Sequence, residues 1–115
     1  MKKLILFCFI AMLLQACKQE LPEIPADVMS MDKMKPILAD IHMADAVAET
    51  KAQAGANERD LSQQYYVQIL KQRGVTQQEF NRSYSFYQQH PMLMEKLYDD
   101  VLTELSTRNA HVSKW

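Results

Sequence analysis

Glycine and cysteine are scarce in this chain: two of each occur in 115 residues. Two isolated glycines cannot form the Gly-rich loop that cradles a phosphate, which removes the P-loop and dinucleotide-binding fingerprints. No apolar run reaches the roughly 20 residues that a helix needs to cross a bilayer. Neither charge sign dominates, with 13 Lys and Arg against 14 Asp and Glu and a formal net charge of −1. At a pI near 6.3 the basic footprint that nucleic-acid phosphate requires is missing, so no nucleic-acid partner is expected. The length excludes a Rossmann enzyme, a TIM barrel and a propeller, and leaves room for one small domain. Gly-x-Ser-x-Gly and His-Glu-x-x-His are both absent from the sequence, so the expectation is a non-enzymatic protein without a cofactor.

What is present begins at the N-terminus. Lys2 and Lys3 precede an uninterrupted apolar run from Leu4 to Leu14, and Gln15, Ala16 and Cys17 then open a polar stretch. A charged start, a short apolar centre and a small-residue boundary are the layout of a secretory signal peptide. Leu14-Gln15-Ala16-Cys17 resembles the bacterial lipobox, in which a cysteine is lipidated before the signal is cut off on its N-terminal side. Residues 1–16 are therefore expected to leave, and Cys8 with them. A mature chain starting at Cys17 holds one cysteine and can form no internal disulfide, and lipidation makes that thiol inert in an oxidising compartment. A single acyl chain anchors marginally, whereas two or three on one cysteine hold firmly. The expected partner of Cys17 is thus a membrane.

Residues 17–30 are expected to be the lipidated cysteine and a flexible tether. Pro22 and Pro25 stand among charged residues without helical periodicity, and an extended segment at about 3.1 Å per residue would hold a domain up to roughly 40 Å from the bilayer. The location this implies is the cell envelope, at an outer membrane and facing the periplasm. Lys18 and Glu20 loosely resemble a basic-then-acidic surface-export signal, which makes surface display the other option.

Residues 31–107 show apolar spacings of three and four without sustained alternation, which predicts an all-α domain of three to four helices. The first helix is expected from about Asp32, as N-cap, to Ala54, with Met34, Leu38, Ile41, Ala44 and Ala48 as a stripe, Ile37 beside it and Pro36 closing the first turn. Asn57 is positioned to cap a second helix carrying Leu61, Tyr65 and Ile69 and stopping at Gly74. Thr76 and Glu79 have the capping-box spacing, with Val75 and Phe80 placed as a hydrophobic staple. The third helix carries Phe80, Tyr84 and Tyr87 and yields before Pro91, which suits the first position of a fourth. Met94, Leu97, Val101 and Leu105 form the fourth stripe. Tyr65, Tyr84 and Tyr87 are expected in the core, and the methionines from Met29 to Met94 mostly fill it. Periodicity fades at Thr107, so residues 108–115 are expected to be a frayed tail.

The densest polar group is Asp40, His42, Asp45 and Glu49. His42, Asp45 and Glu49 recur at three and four along one helix face, which could offer an imidazole and two carboxylates to a divalent metal. Three or four ligands are normally required, and His90 and His111 have no motif linking them to this face. The prevailing expectation is therefore no metal, with His42 at the core edge and Asp45 and Glu49 solvated or paired with lysine or arginine.

Three stretches, Met34–Ala46 (MKPILADIHMADA), Tyr65–Phe80 (YYVQILKQRGVTQQEF) and Tyr84–Tyr98 (YSFYQQHPMLMEKLY), together resemble the small Bacteroidota lipoprotein family catalogued as domain of unknown function 4296. The resemblance spans most of the mature chain. It implies a helical, membrane-tethered envelope protein, and marks Asp40, His42, Gly74, Phe80 and Pro91 as signature positions. The combined expectation is a non-catalytic accessory lipoprotein that binds another envelope protein of an assembly, secretion or transport complex. A metal- or small-ligand-binding protein using His42, Asp45 and Glu49 is the alternative.

Overall fold

The structure is a computed structural model and describes residues 1–13 and 20–112. The expected lipobox, Leu14-Gln15-Ala16-Cys17, and the last three residues lie outside the described residues. Five α-helices form among the described residues: α1 Lys2–Leu13, α2 Met31–Gln53, α3 Glu58–Gln72, α4 Gln77–Gln88 and α5 Pro91–Val112. The all-α reading stands, with α2 to α5 forming the bundle and one more helix, α1, over the apolar leader. Among the described residues no contact joins α1 to the other helices, and its apolar side chains from Leu4 to Ile10 are exposed. Among the described residues no helix is long and apolar enough to cross a membrane.

The helix boundaries follow from local chemistry. Ser30, not Asp32, is the N-cap of α2, and its hydroxyl accepts from the Lys33 amide. Asp32 instead lies in the first turn, where a carboxylate faces the positive end of the helix dipole. Pro36 consequently falls inside α2, two residues deeper than expected. Asn57 caps α3 by accepting from the Asp60 amide at 3.2 Å. The capping box of α4 is complete: Glu79 donates its amide to Thr76 Oγ1 at 3.1 Å, and the Thr76 amide reaches Glu79 Oε2 at 2.9 Å.

Gly55 (φ +100°) and Gly74 (φ +66°) both occupy the left-handed region, immediately after the C-caps of α2 and α3. In each case the residue beyond the glycine bonds back into the helix, Ala56 to the Lys51 carbonyl and Val75 to the Leu70 carbonyl. These are Schellman closures, which reverse the chain within two residues. Val75 also packs on the core beside buried Leu70 and Phe80, so the stop of α3 and the start of α4 share one apolar contact.

The core gathers Met34, Ile37, Leu38 and Ala39 from α2, Leu70 from α3, Phe80 and Tyr87 from α4, and Leu93, Leu97 and Val101 from α5. Tyr87 is fully buried and Tyr84 is half-buried against the core, whereas Tyr65, expected in the core, is half-buried outside it and accepts a hydrogen bond from Lys51 Nζ at 2.8 Å. Phe80 stacks on Tyr84 with centroids 5.8 Å apart and meets the Tyr66 ring edge-on at 5.8 Å.

Two stretches expected to be loose are ordered parts of the fold. Helix α5 continues past Thr107 to Val112, because the polar residue Arg108 supplies contacts that apolar spacing does not record. The second half of the expected tether, residues 24–30, is a strap laid against α4. Ile24, Val28 and Met29 pack on the core. The Met29 amide donates to Ser83 Oγ at 2.9 Å, and the Tyr87 hydroxyl donates to the Met29 carbonyl at 2.7 Å.

Candidate functional site

The polar centre of the bundle is Asp40. Residues 40 and 42 are separated by about 200° around α2, so they look out on opposite flanks. On one flank His42 lies near Tyr98 of α5, with ring centroids 6.1 Å apart. On the other, Asp40 meets Arg108 of α5. Helix α5 therefore crosses α2 between these two contacts and brings a residue from its last turns to a carboxylate near the middle of α2.

Each oxygen of Asp40 is bound by a different arginine. Arg73, the C-cap residue of α3, donates from Nε at 2.9 Å and Nη2 at 2.7 Å to Oδ2. Arg108 donates from Nη1 at 2.7 Å to Oδ1, and from Nε at 3.0 Å to Glu104 one turn earlier on α5. Three helices are thus tied at one carboxylate. Asp40 is 22% exposed and Arg108 26%, so the pairs are shielded enough to persist but are not dry. The hydrogen bond to Asp40 holds the Arg108 guanidinium above its ordinary pKa, because removing its proton would leave the carboxylate uncompensated. Two arginines and two carboxylates balance formally, so this cluster carries no surplus charge.

The Asp40–Arg73 pair also separates two open grooves. One, about 800 Å3, lies between the strap, the first turns of α2 and the α3–α4 turn, and is bordered by Asp27, Lys33, Arg73 and Arg82. The other, about 300 Å3, runs between α2 and α3 under α5 and is lined by Asp40, Met43, Tyr65, Gln68, Gln72 and Arg108.

His42, Asp45 and Glu49 are all exposed on α2, and no group of three or more His, Cys, Asp or Glu side chains among the described residues is placed to hold a metal. Within this acidic stretch of α2 the carboxylate that pairs with arginine is Asp40, not Asp45 or Glu49. Of the other signature positions, Gly74 ends α3, Phe80 is buried at the fourth position of α4, and Pro91 opens α5. His90, just before Pro91, bonds through Nδ1 to the Phe86 carbonyl at 2.7 Å and lies against the Phe86 ring. Cys17 lies outside the described residues.

Arg73 and Arg108 were not candidates on sequence grounds. The one local signal for Arg108 was Glu104 four residues earlier. Nothing in the sequence connected either arginine to Asp40.

The model of the family described as Domain of unknown function (DUF4296) matches residues 25–111. The chain belongs to this family. The match starts inside the strap and ends one residue before the end of α5, so strap and Arg108 turn both fall within the family's domain. No curated protein and no solved structure matches the chain.

Proposed function

We propose that this protein is an envelope lipoprotein, anchored through Cys17 to an outer membrane and facing the periplasm, whose helical domain serves as a non-catalytic subunit for another envelope protein. The observation that carries this reading is the junction at Leu14–Cys17. A basic start and an apolar helix too short to span a bilayer lead directly into a lipobox. A lipid at that point replaces a protein anchor, and several chains on one residue make attachment durable. The family's domain then begins eight residues further on, at position 25, which leaves a membrane-proximal helical body as the part that does the work. The two open grooves on either side of the Asp40–Arg73 pair offer mixed polar and apolar surface of the kind found at non-obligate interfaces.

The test is to tag the C-terminus, extract native membranes in mild detergent and identify what co-purifies at stoichiometric yield, with Cys17→Ala as the unanchored control. The expected result is acyl label on the wild type, none on Cys17→Ala, and a defined envelope complex that weakens without the anchor. An unlabelled wild type, or one recovered only as free monomer, overturns the reading. Calorimetry with divalent ions addresses the metal-binding alternative, and heat that disappears in His42→Ala would favour it instead.

A further inference from the structure

We infer that residues 24–30 are a latch that halves the leash and keeps the strap end of the domain next to the bilayer. This deepens the proposed function and rests on its lipid anchor at Cys17. The latch is a two-point grip on one residue of backbone. Ser83 and Tyr87, one turn apart on α4 and both fully buried, take the Met29 amide and carbonyl at 2.9 and 2.7 Å. A strap without these partners would have to strip water from both backbone groups with no return. Ile24 and Val28 add apolar contact on the core.

The consequence is geometric. If residues 18–30 were all free, the domain could move roughly 40 Å from its anchor. With the strap fixed from Ile24, only residues 18–23 remain as leash, and their extended reach is about 20 Å. The latch sits beside Ser30, at the N-terminal end of α2. That helix has 23 residues, so the α2–α3 turn at Gly55–Asn57 lies roughly 35 Å away along its axis. The strap end, with its groove bordered by Lys33 and Arg82, is confined to the membrane-proximal zone. The α2–α3 tip is the part that reaches outward to a partner.

The mature protein suits a direct test, because lipidation consumes Cys17 and leaves no other thiol. The full lipidated chain is placed in phosphatidylethanolamine/phosphatidylglycerol vesicles carrying a headgroup energy acceptor, with a donor dye on Lys33→Cys at the strap end or Arg59→Cys near the tip. The expected result is transfer at least about twofold stronger from position 33 than from position 59. The double variant Ser83→Ala/Tyr87→Phe should bring that ratio toward one while the protein stays on the vesicles. Hydrogen exchange on the wild type gives a reading that no variant can confound, and the Met29 amide should exchange as slowly as core amides of α4. Equal transfer from both positions in the bound wild type, or fast exchange at Met29, overturns the latch. Failure of the wild type to enter the vesicles, or retention of Cys17→Ala on them, overturns the anchor and the latch with it.

Discussion

Asp40 and Arg108 stand 68 residues apart in the chain and 2.7 Å apart in the fold. Arg73 closes on the other oxygen of the same carboxylate, so Asp40 joins helices α2, α3 and α5 at one point. Removing it leaves two guanidinium groups near each other with Glu104, bound to Arg108, as the remaining counter-charge. Because the pairs are partly exposed, solvent screening moderates the loss. Asp40→Ala is expected to cost about 1–2 kcal/mol of unfolding free energy by urea titration. A double-mutant cycle with Arg108→Ala should give a coupling of about 1 kcal/mol that shrinks as salt is raised. A coupling near zero would reduce the cluster to a surface decoration.

The strap makes a separate claim on stability. Tyr87→Phe keeps the buried ring and removes the hydroxyl that serves the Met29 carbonyl. An unserved carbonyl at a half-buried position should cost about 1–2 kcal/mol, or roughly 4–8 °C or more in Tm for a domain of this size. Limited proteolysis should then cut between residues 20 and 30 faster than in the wild type. An unchanged cleavage rate would show that the apolar contacts of Ile24 and Val28 hold the strap by themselves.

Backbone conformation decides the next prediction. No heavy atom lies within 4 Å of where a Cβ on Gly74 would sit, so Gly74→Ala meets no clash with its surroundings. Its cost is confined to φ +66°, which L-residues with a Cβ occupy at about 1–2 kcal/mol. Gly74→Asn should recover part of that loss, since asparagine tolerates the left-handed region. Thermal unfolding of the two variants side by side checks the order.

The pH dependence on the acid side has an identified contributor. Bonds from Thr76 hold the Glu79 carboxyl below its ordinary value, with the backbone amide the larger cause. A carboxylate with a lowered folded-state pKa stabilises the protein above its unfolded pKa, and that contribution is lost as pH falls through the folded value. Glu79→Gln keeps an acceptor for the Thr76 amide but cannot titrate. The Tm difference between wild type and Glu79→Gln should therefore narrow from neutral to about pH 3. A difference that stays constant would mean that the charge on Glu79 adds nothing to the cap.

Much of this fold was legible because it is set within a few residues. The Thr76–Glu79 box, the Asn57 cap, the left-handed Gly74 and the opening of α5 at Pro91 each depend on side-chain chemistry and backbone sterics at neighbouring positions, and each lies where the spacing placed it. The all-α class followed from apolar periodicity for the same reason. The first cap was expected at Asp32, and Ser30, two residues earlier, takes that place instead. The strap, the continuation of α5 and the Asp40 cluster were illegible, because their partners are 54, 58 and 68 residues distant. Proline and charge made residues 17–30 read as a lipidated cysteine and tether, since a polar, aperiodic segment carries no record of buried hydroxyls waiting on another helix. The sequence by itself determined helices, their ends and the candidate anchor, all of them short-range matters. Only the tertiary structure decided which carboxylate meets arginine and which backbone group is gripped, because long-range pairing depends on how four helices cross once their apolar stripes are packed.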